Sequence, residues 1–271
     1  MARRADEIAA PVRASIAAEL AAVADEQNVT ILFACESGSR AWGFASPDSD
    51  YDVRFVYAHR LDWYLRVEPG RDVIELPIAD DLDINGWDLR KALHLLHRSN
   101  PSLLEWLVSP LVYHEVTDVA DELRRLAGTH FSAAAAEHHY LSMAGRNATY
   151  VSRETVRHKK YFYVLRPLLA ARWVRRHSSQ PPMRFDELLA ATLDPRTEAP
   201  VLAEVAALLA VKTATGEAVS GPRLPALDAF IREELQRPAT WSDAARLRPT
   251  ASLDDFLLRT VLRFDPSADR R

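Results

Sequence analysis

Two aspartates separated by one residue, Asp50 and Asp52, follow a Gly38-Ser39 pair in the stretch GSRAWGFASPDSDYD (38–52), with ten residues between Ser39 and Asp50. In an extended strand, side chains at i and i+2 share one face. The two carboxylates would then point together, with Cα atoms roughly 6–7 Å apart. Such a pair can hold one or two hard cations. Magnesium takes oxygen ligands and keeps waters and substrate phosphates in its shell. Two ions about 3.5–4 Å apart can activate an attacking oxygen and stabilise a leaving pyrophosphate. Gly38, lacking a Cβ, lets the backbone approach phosphates closely. Ser39 offers a hydroxyl and an N–H near the start of a short helix whose dipole favours anions. Types and spacing therefore predict metal-assisted chemistry on a nucleotide, with Asp50 and Asp52 on magnesium or manganese. Gly38, Ser39 and Arg40 would line the triphosphate.

The flanks supply what must position these groups. Val29 to Glu36 (VTILFACE) is an apolar, β-branched run of strand length, and Tyr51 to Tyr57 (YDVRFVY) is a second. Asp72 to Leu76 reads as an added strand, and Asp81 to Asn85 (DLDIN) as a third core strand, alternating polar and apolar. Ahead of them, residues 4–26 space Ile8, Val12, Ile16, Leu20 and Val23 as a helix does, with Pro11 at a break or first turn. Residues 87–98 carry Leu89, Ala92, Leu93 and Leu96 on one stripe. Asn100-Pro101 then restarts a helix as N-cap and first helical residue. After residue 115 strand signals fade. Helices are predicted at 116–127, 131–152, 156–177, 184–192, 197–213, 224–236 and 252–263, with Pro167 kinking the third. The expected fold class is α+β: a nucleotide-handling domain over 1–115, with a small mixed β-sheet flanked by helices, then a helical bundle over 116–271. The active site is expected in the cleft between them.

Composition narrows the function. A chain of 271 residues with 48% hydrophobic and 27% charged residues is an ordinary globular protein. No run of about 18 apolar residues predicts a membrane span, and no targeting segment is visible. The single Cys35 fits a reducing cytoplasm and reads as a small core residue. Net charge of −4 argues against a general nucleic-acid coat protein. Yet residues 151–177 hold eight Arg or Lys against one acid, Glu154, a local basic stretch suited to a triphosphate or an RNA backbone. Neither His138-His139 nor His94 with His97 has the further ligands a zinc site needs.

The segment GSRAWGFASPDSDYDVRFVY (38–57) resembles the DNA polymerase beta-type nucleotidyltransferases. The likeness continues in INGWDLRKALHLLHRSNPSLLEWLVSPLVY (84–113) and KKYFYVLRPLLAARW (159–173). These blocks look most like a bacterial family of RNA-repair-pathway polymerase-beta-type proteins, and cover most of residues 30–177. The resemblance implies magnesium-dependent transfer of a nucleoside monophosphate from an NTP to a hydroxyl. It implies a third carboxylate on the strand beside the first pair, to bind metal and take the hydroxyl's proton. Asp83, central in its segment, is preferred; Asp81 is the runner-up, and Asp88, opening the next helix, is third. The resemblance also implies a helical domain reaching the β- and γ-phosphates. Only four of the 34 basic residues are lysines, and Lys159 and Lys160 are adjacent in the most basic stretch. Adjacent helix residues point about 100° apart, so one of the two would meet the phosphates; which one is left open. Tyr161 is placed with them as a nucleotide contact, and one of Tyr161, Phe162 and Tyr163 could stack on a base. The acceptor hydroxyl is expected on an RNA or tRNA end. AMP transfer to a protein hydroxyl, as in toxin–antitoxin nucleotidyltransferases, transfer to a small molecule, and an inactive nucleotide- or RNA-binding module are the alternatives.

Overall fold

The computed structural model describes residues 8–79, 81–215, 219–240 and 248–265. Residues 4–7 of the predicted first helix, Gly216 and the C-terminal residues 266–271 lie outside these.

The first helix, α1 (Ala10–Gln27), has Pro11 in its first turn and buries Ile16, Leu20 and Val23. It ends at Asn28, whose left-handed backbone (φ 51°) turns the chain into β1 (Thr30–Glu36). A short helix, α2 (Gly38–Ala41), follows, then β2 (Tyr51–Ala58), α3 (Leu61–Tyr64), β3 (Val73–Glu75) and β4 (Leu82–Asp88). Next come α4 (Leu89–His97), α5 (Pro101–Leu107) and β5 (Val112–Glu115). Asn100 caps α5 as its residue type predicts, accepting the Leu103 N–H at 3.3 Å. The sequence reading had no strand at 112–115; β5 is short and pairs at the sheet edge.

The five strands form one mixed sheet in the order β3-β4-β2-β1-β5. β1 runs antiparallel to β2 and β5, β3 runs antiparallel to β4, and β2 and β4 are parallel. A parallel pair needs a crossover of a dozen or more residues, and α3 with β3 supplies it. This is the small mixed sheet with flanking helices that the strand pattern predicts. One sheet face buries Ile16, Leu20 and Val23 of α1 against Ala34, Val53, Phe55, Tyr57 and Ile84.

Among the described residues that follow, the helices are α6 (Thr117–His130), α7 (Ala133–Ala148), α8 (Lys159–His177), α9 (Phe185–Thr192), α10 (Ala199–Thr215), α11 (Pro225–Gln236) and α12 (Ala251–Arg263). Two three-residue strands, β6 (Thr155–Arg157) and β7 (Ser220–Pro222), form a separate ribbon too short for periodicity to reveal.

Two compact units emerge, and they are not the two halves of the chain. One comprises the described residues of Glu7–Gly38, Asp50–His130 and Leu247–Arg271, and holds the five-stranded sheet. The other comprises those of Ser39–Ser49 and Phe131–Arg246, and is helical. The loop 39–49 joins the helical unit because Phe44 stacks on Phe162 at 4.7 Å and meets Phe185 edge-on at 5.2 Å.

Candidate active site

In the sheet unit, the parallel register of β2 and β4 sets Asp52 directly beside Asp83. Register-paired residues face the same way, and so does Arg54, two positions along β2. Arg54 uses this. Its Nη2 donates to Asp52 Oδ1 at 2.9 Å and to Asp83 Oδ2 at 2.7 Å. Its Nη1 donates to the carbonyls of Asp83 (2.6 Å) and Val53 (3.0 Å). The two carboxylates are 29% and 30% exposed, open enough to meet a ligand while held from one side.

The backbone of Asp52 is pinned as well. Its N–H donates to Glu36 Oε1 (3.1 Å), and its carbonyl accepts from Ser37 N–H (2.8 Å). Glu36 is fully buried, and its other oxygen accepts from the Tyr113 hydroxyl. Gly38 has φ +59°, and a Cβ there would lie 1.9 Å from Asp52 Oδ2. The glycine therefore makes room for the carboxylate itself, a closer reason for its presence than approach by a phosphate.

Asp50 is exposed and sits one residue before β2. Asp81 is exposed in a turn with φ +63°, its carbonyl accepting from Tyr51 N–H at 2.7 Å. Asp88 is buried as the N-cap of α4, accepting from Arg90 N–H (2.9 Å) and the Tyr64 hydroxyl (2.6 Å). The structure thus pairs Asp52 with Asp83. Among the described residues it does not draw three or more acidic, His or Cys side chains into a ready metal cage. Cys35 is buried, and desolvation pushes its thiol well above the usual range, as suits a core residue rather than a nucleophile.

In the helical unit, a chain of hydroxyls underlies the loop 39–49. Ser39 Oγ donates to Ser49 Oγ at 3.2 Å. Ser49 Oγ also accepts from Ser46 N–H (3.0 Å) and lies 2.8 Å from Ser46 Oγ. Lys212, buried in α10, donates to Ser46 Oγ at 3.3 Å. Arg40, expected at the triphosphate, is buried and donates to the Ser49 carbonyl at 2.8 Å, bracing its own loop. Tyr161 is internal as well. It is fully buried, its hydroxyl bonding Asp228 Oδ1 (3.1 Å) and Leu224 N–H (3.0 Å), which leaves no ring face for a base. Phe162 is core too, and Tyr163 is the half-exposed aromatic of the three. Lys159 and Lys160 open α8, both half-buried. Lys160 Nζ lies over the rings of Tyr150 (4.4 Å) and Tyr163 (5.0 Å).

Residues 12–259 match the RNA repair pathway DNA polymerase beta family, RlaP. The chain belongs to that family. It is similar to the Bacillus subtilis (strain 168) protein YcgL, described as uncharacterized, with 44% identity over 247 residues, 90% of this chain and 94% of that one. Among solved structures it is similar to a nucleotidyltransferase-like protein from Exiguobacterium sibiricum 255-15, at 12% identity and a TM-score of 0.32, over 90% of this chain and 88% of that chain. This is a polymerase-beta-type nucleotidyltransferase family, and membership implies NMP transfer.

The donor chemistry of the paired carboxylates fits a hard divalent ion. Asp52 and Asp83 present oxygens on one face, with Asp50 two residues upstream. The guanidinium of Arg54 now occupies their shared side. Four residues escaped the sequence reading: Glu36, Arg54, Tyr150 and Lys212. Arg54 had a signal, since i+2 spacing from Asp52 puts it on the same face. A lone glutamate ending an apolar strand had a weaker one. Tyr150 and Lys212 depend on tertiary neighbours and had none.

Proposed function

We propose that this protein transfers a nucleoside monophosphate from an NTP to a hydroxyl at an RNA or tRNA end. The observation that carries the reading is the Asp52–Asp83 register pair, held by Arg54 with Gly38 against it. In this reading the acceptor oxygen bonds to the α-phosphorus, the bond from that phosphorus to the β-bridging oxygen breaks, and pyrophosphate leaves. The hydroxyl proton passes to the Asp83 carboxylate. Asp50, Asp52 and Asp83 hold magnesium or manganese, whose chemistry there is polarisation of the phosphate and neutralisation of the leaving pyrophosphate. Ser39, and Lys159 or Lys160, are the phosphate-binding candidates of the helical unit.

Support for an RNA acceptor comes from Arg153 and Arg157, exposed members of the basic stretch, and from the exposed ring of Tyr150 just before it; Arg166, Arg172 and Arg175 of the same stretch are bonded within the protein and lend it no free charge. Tyr150 is 49% exposed with the Lys160 ammonium over its ring. Stacking faces beside cations suit unpaired bases without selecting a sequence. The test incubates the protein with each α-labelled NTP, magnesium and total RNA, protein extract or small-molecule hydroxyl acceptors. Label on RNA that ribonuclease releases supports the reading. Label confined to protein would move the acceptor to a protein hydroxyl, and label on none, with the protein folded, would remove the transferase reading.

A further inference from the structure

Arg54 bears on how the carboxylate pair behaves before substrate arrives. Two carboxylates opposite each other on neighbouring strands repel, and an opposite charge between them relieves this. Arg54 Nη2 bridges the pair through one nitrogen, at 2.9 Å and 2.7 Å. Its Nη1 makes separate hydrogen bonds to the carbonyls of Asp83 and Val53. Asp52 Oδ2 lies against Gly38, where an added methyl would come within 1.9 Å, and Oδ1 receives Arg54. A cation bridging Asp52 Oδ1 and Asp83 Oδ2 would meet the nitrogen that already holds both.

We propose that Arg54 is the resident counter-cation of this site: it holds Asp52 and Asp83 together in the metal-free protein, and a divalent ion taken up by the pair displaces its Nη2. The proposal rests on the reading of these aspartates as metal ligands. Metal affinity is then set partly by Arg54, and is weaker than bare carboxylates would give. The ion is best retained when a bound triphosphate adds further oxygens to its shell. Arg54 acts here as a positioning residue, since it touches the carboxylates and not the reacting atoms.

The experiment measures Mn2+ binding by electron paramagnetic resonance, without nucleotide, for the wild type, Arg54→Gln, Arg54→Lys and Asp52→Asn. Arg54→Gln should bind Mn2+ at least tenfold more tightly. Arg54→Lys, which keeps the charge on a single flexible ammonium, should fall between it and the wild type. Asp52→Asn should bind least. In EDTA, Arg54→Gln should unfold at a lower temperature than the wild type, and adding Asp83→Asn should restore part of the loss by removing one of the repelling charges. Wild-type Mn2+ binding with no gain in Arg54→Gln or Arg54→Lys overturns the proposal, as does an EDTA midpoint that Asp83→Asn fails to raise. Absence of Mn2+ binding in every variant, Arg54→Gln included, has a different pattern: it removes the metal reading itself, and the displacement with it.

Discussion

Asp52 is fixed by its neighbours on every side. Glu36 holds its N–H, Ser37 its carbonyl, Arg54 one carboxylate oxygen, and Gly38 leaves the space for the other. A group fixed this way serves chemistry better than it serves solubility. Asp52→Asn should leave circular dichroism unchanged and lower turnover by about two orders of magnitude or more, a loss typical of a removed catalytic acid–base or charge partner. Turnover within a few-fold of wild type would contradict the assignment. Gly38→Ala tests the packing independently of activity. A left-handed backbone costs a non-glycine residue about 1–2 kcal/mol, and the added methyl must also push Asp52 aside. Denaturant midpoints should report a loss of about 2–3 kcal/mol; a loss under about 0.5 kcal/mol would mean that the glycine is not required there. Of these residues, Gly38 and Asp52 were legible from type and spacing. Asp83 was legible as the central polar residue of an alternating strand, but its exact partner needed the register. Glu36 carried only a weak signal, because a buried glutamate looks like any strand-ending acid until its donors are known.

Helix α8 carries Pro167 in its interior, and proline has no N–H to give the carbonyl four residues back. That carbonyl belongs to Tyr163, and Asn147 Nδ2 of α7 donates to it at 2.8 Å. The replaced hydrogen bond lets the helix run on to His177. Asn147→Ala should therefore cost about 1–2 kcal/mol, the penalty for an unmet partly buried acceptor, whereas in Asn147→Ala combined with Pro167→Ala the cost should shrink. Equal losses in both backgrounds would refute the coupling. Periodicity places this helix at 156–177, against Lys159–His177 observed, and expects Pro167 to kink it; the donor that meets the freed carbonyl lies in another helix and could not be read. A pH effect belongs to the segment before α3. His59 stacks on Trp63 at 4.1 Å, and burial, with Arg66 adding to it, lowers its pKa from 6.5 to about 4. The folded protein then binds fewer protons than the unfolded chain in that window. Stability from this source is complete above pH 6.5 and falls as the pH drops toward 4. Thermal midpoints across that range should fall less steeply in His59→Phe than in the wild type; identical slopes would show that His59 is not the cause.

Among the described residues, the places of the helices and of the main strands along the chain followed from periodicity and from proline and glycine punctuation, while the order of the strands in the sheet did not. The edge strand β5 and the ribbon of β6 and β7 did not, because strands of three or four residues carry too little pattern. Nor could periodicity show that the loop between Ser39 and Ser49 packs with the helices, since that depends on Phe44 finding Phe162 and Phe185. The consequence is that the motif's residues are shared between the units: Gly38, Asp50 and Asp52 in one, Ser39 to Ser49 in the other, joined directly by the chain. No helix among the described residues is long and apolar enough to cross a membrane. The central claim is that this fold moves a nucleoside monophosphate, and parallel reactions with α-labelled and γ-labelled ATP, CTP, GTP and UTP test it most directly. The account predicts that α-label joins an acceptor while γ-label appears in free pyrophosphate, and that both signals vanish in Asp52→Asn. Transfer of the γ-label to an acceptor, or α-label transfer that persists in folded Asp52→Asn, would contradict it.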